Sequence, residues 1–173
     1  MQTYVPRQLS TGKGAIRVLP IKRILWPTDF SEPSYAALKT AEELAQHFSA
    51  ELVVLHVVPP IPAIPAGASL EGIFSPSYPL EMENQAREAL RKVVDRNISG
   101  KTKTQALVLH GNVGGEIVNV VKSENVDVIV MATHGSSGWQ RFLFGSVAEK
   151  VIRMAPCPVL SIQFPPEVGE TGI

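Results

Sequence analysis

Five short apolar segments separated by amphipathic ones predict an α/β protein built on one open, doubly wound, five-stranded parallel sheet. Three observations carry that expectation. Each strand-like run is followed by a helix-like run, giving β-α-β-α-β-α-β-α-β, and such alternation means parallel strands joined by right-handed crossovers, with helices on both faces. The runs ELVVLHVV (51–58) and VDVIVMA (126–132) are apolar on successive rather than alternate positions, as strands covered on both faces must be. At 173 residues, with 45% apolar and 18% charged, the chain has material for one core and would be cramped as two domains.

Residues 1–20 mix Gly, Pro, Ser and Thr with three basic residues and no period, so they read as a flexible leader before a folded unit over 21–164. IKRILWP (21–27) is short, apolar and ended by proline, which suits a buried strand. In DFSEPSYAALKTAEELAQHF, Ala37, Leu38, Ala41, Leu44, Ala45 and Phe48 fall at helical spacing, with Ser31 as N-cap and Pro33 tolerated in the first turn. After the second strand, 51–58, prolines at 59, 60, 62, 65, 76 and 79 deny regular hydrogen bonding, so 59–80 reads as a long loop or lid. A loop of that length either covers a site or partner surface or is a flexible connection.

LEMENQAREALRKVVDRN (80–97) then sets Met82, Ala86, Ala89, Leu90, Val93 and Val94 on one helical face. TQALVLH (104–110) is a strand, VGGEIVNVVKSE (113–124) a short helix and VDVIVMA the fourth strand. The loop THGSSGWQRFLF leads to the helix GSVAEKVIRM (145–154) and a last strand in CPVLSIQ, and 165–173 read as a flexible tail.

Charge and cysteine usage exclude several function classes. Lys+Arg and Asp+Glu both number 16, so the chain lacks the basic footprint of a dedicated nucleic-acid binder or of a polyphosphate clamp built from many cations. The single cysteine, Cys157, excludes an intramolecular disulfide framework and a cysteine-based zinc site and fits a reducing compartment. Lying between Pro156 and Pro158, it reads as a small buried apolar residue rather than a reactive thiol. No apolar run approaches the roughly 18 residues that span a bilayer, and the opening residues lack the apolar core of a secretory signal. The expectation is a cytoplasmic protein with no membrane and no nucleic-acid partner.

In an open doubly wound sheet, ligands bind beyond the carboxyl ends of the strands where the winding reverses. Two strand ends carry unusual residues. After strand one, Pro27 and Thr28 lead into Asp29, which is either a turn former and helix-dipole partner or an acceptor for ribose hydroxyls or a cation. After strand four, MATHGSSGWQRFLFGSVAEK supplies Gly135, Gly138 and Gly145, three serines and a helix start with Ser146-x-x-Glu149, a capping box. Glycines allow close backbone approach and open N–H groups at a helix start favour an anion, so this segment suits phosphates. A Walker loop is excluded because no lysine stands in the required place, and the dinucleotide fingerprint because WPTDF after strand one has no glycine.

The histidines offer little catalytic purchase. His47 and His56 read as structural, His110 could line a cleft, and His134 at the glycine loop has no evident carboxylate partner. There is no G-x-S-x-G elbow, no His-x-x-x-His pair and no clustered acidic metal site.

At these residues the chain resembles the universal stress protein family. WPTDFSEPSYAALKTAEELA, ELVVLHVV, VDVIVMATHGSSGWQRFLFGSVAEKVI and PCPVLSIQ match its characteristic segments in order, over roughly 20–164. In the nucleotide-binding branch the loop pattern is G-x2-G-x9-G-[ST]; Gly135, Gly145 and Ser146 match it, and Ala132 stands at the first glycine position. The resemblance implies a sheet order of 3-2-1-4-5, which puts strands one and four side by side. It further implies adenine near Pro27, Thr28 and the backbone of Val57, ribose near Asp29 and Ala132, and phosphates on Gly135, Ser136, Ser137, Gly145, Ser146 and Val147, with Met131 also among the nucleotide-binding residues. Magnesium would ride on the outer phosphate oxygens without direct protein ligands. A homodimer through the last strand, Val159 to Ile162, is implied as well, and an unidentified protein partner fits the same picture.

The functional expectation is a stress-response protein holding ATP, or another adenine nucleotide, as a regulatory ligand, with weak hydrolysis at most. Its rivals are a slow ATPase or phosphotransferase in the same cleft and a scaffold that has lost the nucleotide, marked by Ala132.

Overall fold

The computed structural model describes residues 19–60, 78–133 and 145–163. Its elements alternate: β1 (Arg23–Pro27), α1 (Glu32–Phe48), β2 (Glu51–Val58), α2 (Tyr78–Asn97), β3 (Thr104–His110), α3 (Val113–Ser123), β4 (Val128–Ala132), α4 (Ser146–Met154) and β5 (Val159–Ile162). All strand pairs are parallel, as the alternation demands, and the order is β3-β2-β1-β4-β5, the one that the family resemblance implies.

The continuous apolar runs are explained by cover on both faces. Ile24, Trp26, Leu52 and Val54 pack with Ala37 and Ala41 of α1 and Leu90 and Val93 of α2. Leu25, Val53, Leu55 and Ile129 pack on the other face with Ile117 and Val121 of α3 and Val151 of α4. Residues 24–26 and 52–55 have no solvent exposure, so the middle of the sheet is dry on both sides. At about 25 cal/mol per Å² of apolar surface removed from water, each of these side chains contributes roughly 1.5–3 kcal/mol.

Boundaries reflect local chemistry. Ser31, in extended backbone, accepts the Ser34 N–H and starts α1 with proline in the first turn, and Ser49 ends it in the left-handed region at φ 53°. Helix α2 begins at Tyr78, so the proline-rich stretch expected to be loop through residue 80 gives up its last residues to a helix; Pro79 sits in the first turn, where its missing N–H costs nothing. The rest of that stretch, 61–77, lies outside the described residues, as do residues 1–18 and 164–173.

The sheet is asymmetric about its central strand. β1 pairs with β2 along five residues, Arg23↔Glu51 to Pro27↔Leu55, but with β4 only at Ile24↔Val128 and Leu25↔Ile129.

Candidate functional site

Beyond Leu25 and Ile129 the β1 and β4 backbones no longer pair, and a cavity of about 300 Å³ opens at their carboxyl ends. Its walls are mostly apolar: Pro27 from β1, Leu55 and Val57 from β2, Val113 and Ile117 from α3, and Met131 and Ala132 from β4. Such walls take a flat, weakly polar body, with polar groups at the rim fixing its orientation.

One rim is a closed hydrogen-bond network grown from the end of β1. Thr28 extends the sheet by donating its N–H to Leu55 O at 2.8 Å, and its buried Oγ1 accepts from Ser34 Oγ at 2.8 Å and Phe30 N at 3.0 Å. Asp29 is exposed, and its Oδ1 accepts both the Ser31 N–H at 3.1 Å and the Ser31 hydroxyl at 2.5 Å. The turn-forming role of Asp29 is therefore realised, and the same bonds fix its carboxylate on the cavity lip. Phe30 takes a left-handed backbone, φ 64°, which is costly for an aromatic residue and is held by the Thr28 and Ser31 contacts around it.

The opposite rim is the start of α4. Gly145 is its N-cap and provides no side-chain cap, which corrects the expectation that Ser146 caps through a box with Glu149: Ser146 is already inside the helix. The Gly145 N–H is spent on Thr133 O at 2.8 Å, and Thr133 N in turn donates to Ile162 O at 3.0 Å, so the helix start is tied to the ends of β4 and β5. The first intrahelical donor is Glu149 N, to Gly145 O at 2.9 Å. The N–H groups of Ser146, Val147 and Ala148 thus precede the intrahelical ladder, at residues that line the cavity. Their positive end of the helix dipole favours an anion. Among the described lining residues, Asp29 carries the only formal charge.

Of the twelve residues picked from sequence, Pro27, Thr28, Asp29, Val57, Met131, Ala132, Gly145, Ser146 and Val147 border this cavity, and Gly135, Ser136 and Ser137 lie outside the described residues. Ala132 ends β4, and the positive-φ residues other than glycine are Phe30, Ser49 and Asn125 among those described, so alanine there is unstrained.

Sequence reasoning passed over Ser34, Thr133 and His56 as cavity residues. The signal for His56 was one polar residue near the carboxyl end of an otherwise apolar strand. Its Nδ1 lies 2.8 Å from Thr28 O and its ring stacks on Phe30, with centroids 4.4 Å apart and 28° between planes. His110 does not border the cavity; its Nε2 is 3.1 Å from Glu83 Oε2 on α2. His47 sits edge-on to Phe48, and His134 is outside the described residues. Burial, with help from the Asp127 carboxylate, pushes the Cys157 thiol up to about 11, the behaviour of a packed and unreactive sulfur.

Comparison with known proteins places the chain among relatives. Residues 20–163 match the model of the universal stress protein family. The universal stress protein MJ0531 of Methanocaldococcus jannaschii is 40% identical over 146 residues, 83% of each chain. The solved structure of MJ0577, a universal stress protein of the same organism, superposes with a TM-score of 0.66 at 29% identity, covering 84% of this chain and 97% of that one. At 19% identity, a universal stress protein of Archaeoglobus fulgidus in complex with dAMP shares the fold, with a TM-score of 0.53 over 82% of this chain and 96% of that one.

Proposed function

The chain belongs to the universal stress protein family, and from that premise we propose that it is a stress-response protein that binds an adenine nucleotide, ATP with magnesium, as a regulatory ligand in the β1–β4 cavity. The observation that carries this reading is the pairing of an apolar pocket with a helix start whose N-cap is a glycine: walls for a base on one side, and on the other, for phosphates, the N–H groups of Ser146, Val147 and Ala148, which precede the intrahelical ladder. A neutral chain can hold phosphate this way because backbone dipoles substitute for lysines. A related fold described with dAMP supports the choice of adenine. Asp29, held by Ser31, stands where a ribose hydroxyl can donate to it.

Among the described residues, no three His, Cys, Asp or Glu side chains gather as a metal cage. Asp29 is the one carboxylate among the described lining residues, and a magnesium ion beside it would be held chiefly by phosphate oxygens and water.

Calorimetric titration with Mg-ATP tests the proposal. Saturable binding is expected, with the nucleotide recovered intact; absence of heat at millimolar nucleotide overturns it. Steady phosphate release that falls on substitution of Asp29 or His134 would make the protein a slow ATPase instead.

The same reading includes a homodimer through β5 and a cytoplasmic location. β5 is a sheet edge with Leu160 40% exposed, and α4 beside it exposes Ile152 and Met154, so a twin strand would cover both. Among the described residues, no helix is long and apolar enough to cross a membrane.

A further inference from the structure

We infer that Lys150 is a positioning residue for the phosphate end of the ligand: it ties the start of α4 to the start of α3 and so fixes where the Ser146, Val147 and Ala148 N–H groups point. The inference rests on the nucleotide reading. Helix α4 has little else to hold it. It is nine residues long, its buried residues are Ala148 and Val151, and it leans chiefly on α3. Its N-cap is a glycine with no side chain to bond, so the Gly145 N–H to Thr133 O at 2.8 Å tethers the entry of the helix without setting its tilt.

Lys150 supplies the missing tie. Its Nζ donates to Asn112 Oδ1 at 2.6 Å, and the same oxygen accepts the Gly115 N–H at 3.1 Å as the side-chain cap of α3. One amide oxygen thus joins two helix starts that both border the cavity, α3 through Val113 and α4 through its first three residues. The stem is seated as closely as the amine. A methyl at Gly114 would lie 2.9 Å from Lys150 Cδ and 3.3 Å from its Cβ and Cγ, so the lysine carbons run directly over a buried glycine. A glycine is a poor helix former, and here its bare backbone leaves room for that stem.

No second group duplicates the tie. Among the described residues Lys150 enters no ion pair, and its hydrogen-bond partner is the neutral Asn112. An ammonium at the start of α3 also faces the positive end of that helix's dipole. Losing either the amine or the amide oxygen therefore frees α4 to tilt. Hydrogen bonds weaken steeply as they bend, so a small tilt costs the phosphates their donors while the base and ribose, held on β1 and β2, keep theirs.

The test measures the affinities for Mg-ATP and for adenosine by chemical-shift titration, which follows weak ligands. Lys150→Met keeps the stem and loses the amine. It should weaken ATP about tenfold, the size of one charge-assisted hydrogen bond, and adenosine hardly at all. Asn112→Ala should do the same, and the double variant should lose no more than either single one, because both remove one bond. Lys150→Arg restores a cationic donor and should recover most of the affinity. The loss in Lys150→Met should persist in 1 M salt, where the Debye length is about 3 Å, since it arises from geometry and not from a distant charge.

An ATP-to-adenosine ratio unchanged by Lys150→Met overturns the inference while leaving nucleotide binding intact, as does a double variant whose loss is the sum of the two. A loss that vanishes in high salt overturns it as well. If wild type binds neither ligand, the nucleotide reading itself falls. Amide hydrogen exchange on the free protein needs no ligand: in Lys150→Met the amides of Glu149 and Val151 should exchange faster while those of β1 and β2 stay protected. Unchanged exchange in α4 would overturn the inference whatever the ligand.

Discussion

Thr28 shows how much a single side chain can hold at a strand end. Its buried Oγ1 accepts from Ser34 and Phe30, so Thr28→Val would leave the Ser34 hydroxyl and the Phe30 N–H without that acceptor. A loss of about 1–3 kcal/mol is expected, read as a fall in Tm of some degrees in thermal unfolding. Asp29→Ala removes the Ser31 contacts from an exposed position, so it should cost stability little, about 1 kcal/mol or less, while weakening nucleotide binding measured by calorimetry. Cys157 makes the opposite case. With its thiol pushed to about 11, alkylation of the folded protein at pH 8 should run about two orders of magnitude slower than that of the unfolded chain, monitored by mass spectrometry. Cys157 reads as buried from its place between two prolines, and it is partly buried, packed against the α3–α4 face of the core. The Thr28 contact of His56 was not legible, because a histidine in an apolar run looks the same whether its ring meets a neighbouring strand's carbonyl or packs among methyls.

The elements were nearly all legible, since four amphipathic periods and five continuous apolar runs leave one economical arrangement. Legibility failed at the start of α4, where Ser146-x-x-Glu149 satisfies the capping pattern but the backbone places the cap one residue earlier, at Gly145. That shift has a measurable consequence. Gly145 has φ −69° and ψ 156°, open to any residue, so Gly145→Asp should add an N-cap worth a few tenths of a kcal/mol. Its carboxylate would occupy the same N–H groups that phosphates need, so Tm should rise slightly as Mg-ATP affinity is lost. If affinity is unchanged, the phosphates lie elsewhere. Helix α3 offers a paired control on packing. A methyl at Gly115 meets nothing nearer than 3.4 Å, whereas one at Gly114 would lie 2.9 Å from Lys150 Cδ, whose stem crosses the helix there. Gly115→Ala should stabilise by about 0.5–1 kcal/mol, and Gly114→Ala should not, by the same thermal assay.

For the molecule as a whole, acid sensitivity arises from three carboxylates held below their usual value of 4.5. Burial alone would raise Glu51, but Lys103 and Arg23 outweigh it; Arg87 and then His110 lower Glu83, and Lys92 lowers Glu88. A carboxylate depressed in the folded state contributes stability that is present above its unfolded value and lost as the pH falls through the folded one. Stability should therefore hold from neutral pH to about 4.5 and decline below, with Glu51→Gln flattening part of the decline in Tm against pH. The switch point was legible through the family resemblance, whose sheet order 3-2-1-4-5 brings together two crevice-lining strand ends far apart in the chain; alternation alone is compatible with other doubly wound orders. What order could not reveal is how briefly β1 and β4 hold each other, at Ile24↔Val128 and Leu25↔Ile129. Two plates, β3-β2-β1 and β4-β5, thus meet along a short backbone line that α1 packs across and that opens at the ligand end. A molecule gripped by Thr28 and Asp29 on one plate and by the start of α4 on the other would act as a rivet across that line. Occupancy would then be felt mechanically, as resistance to prising the two plates apart.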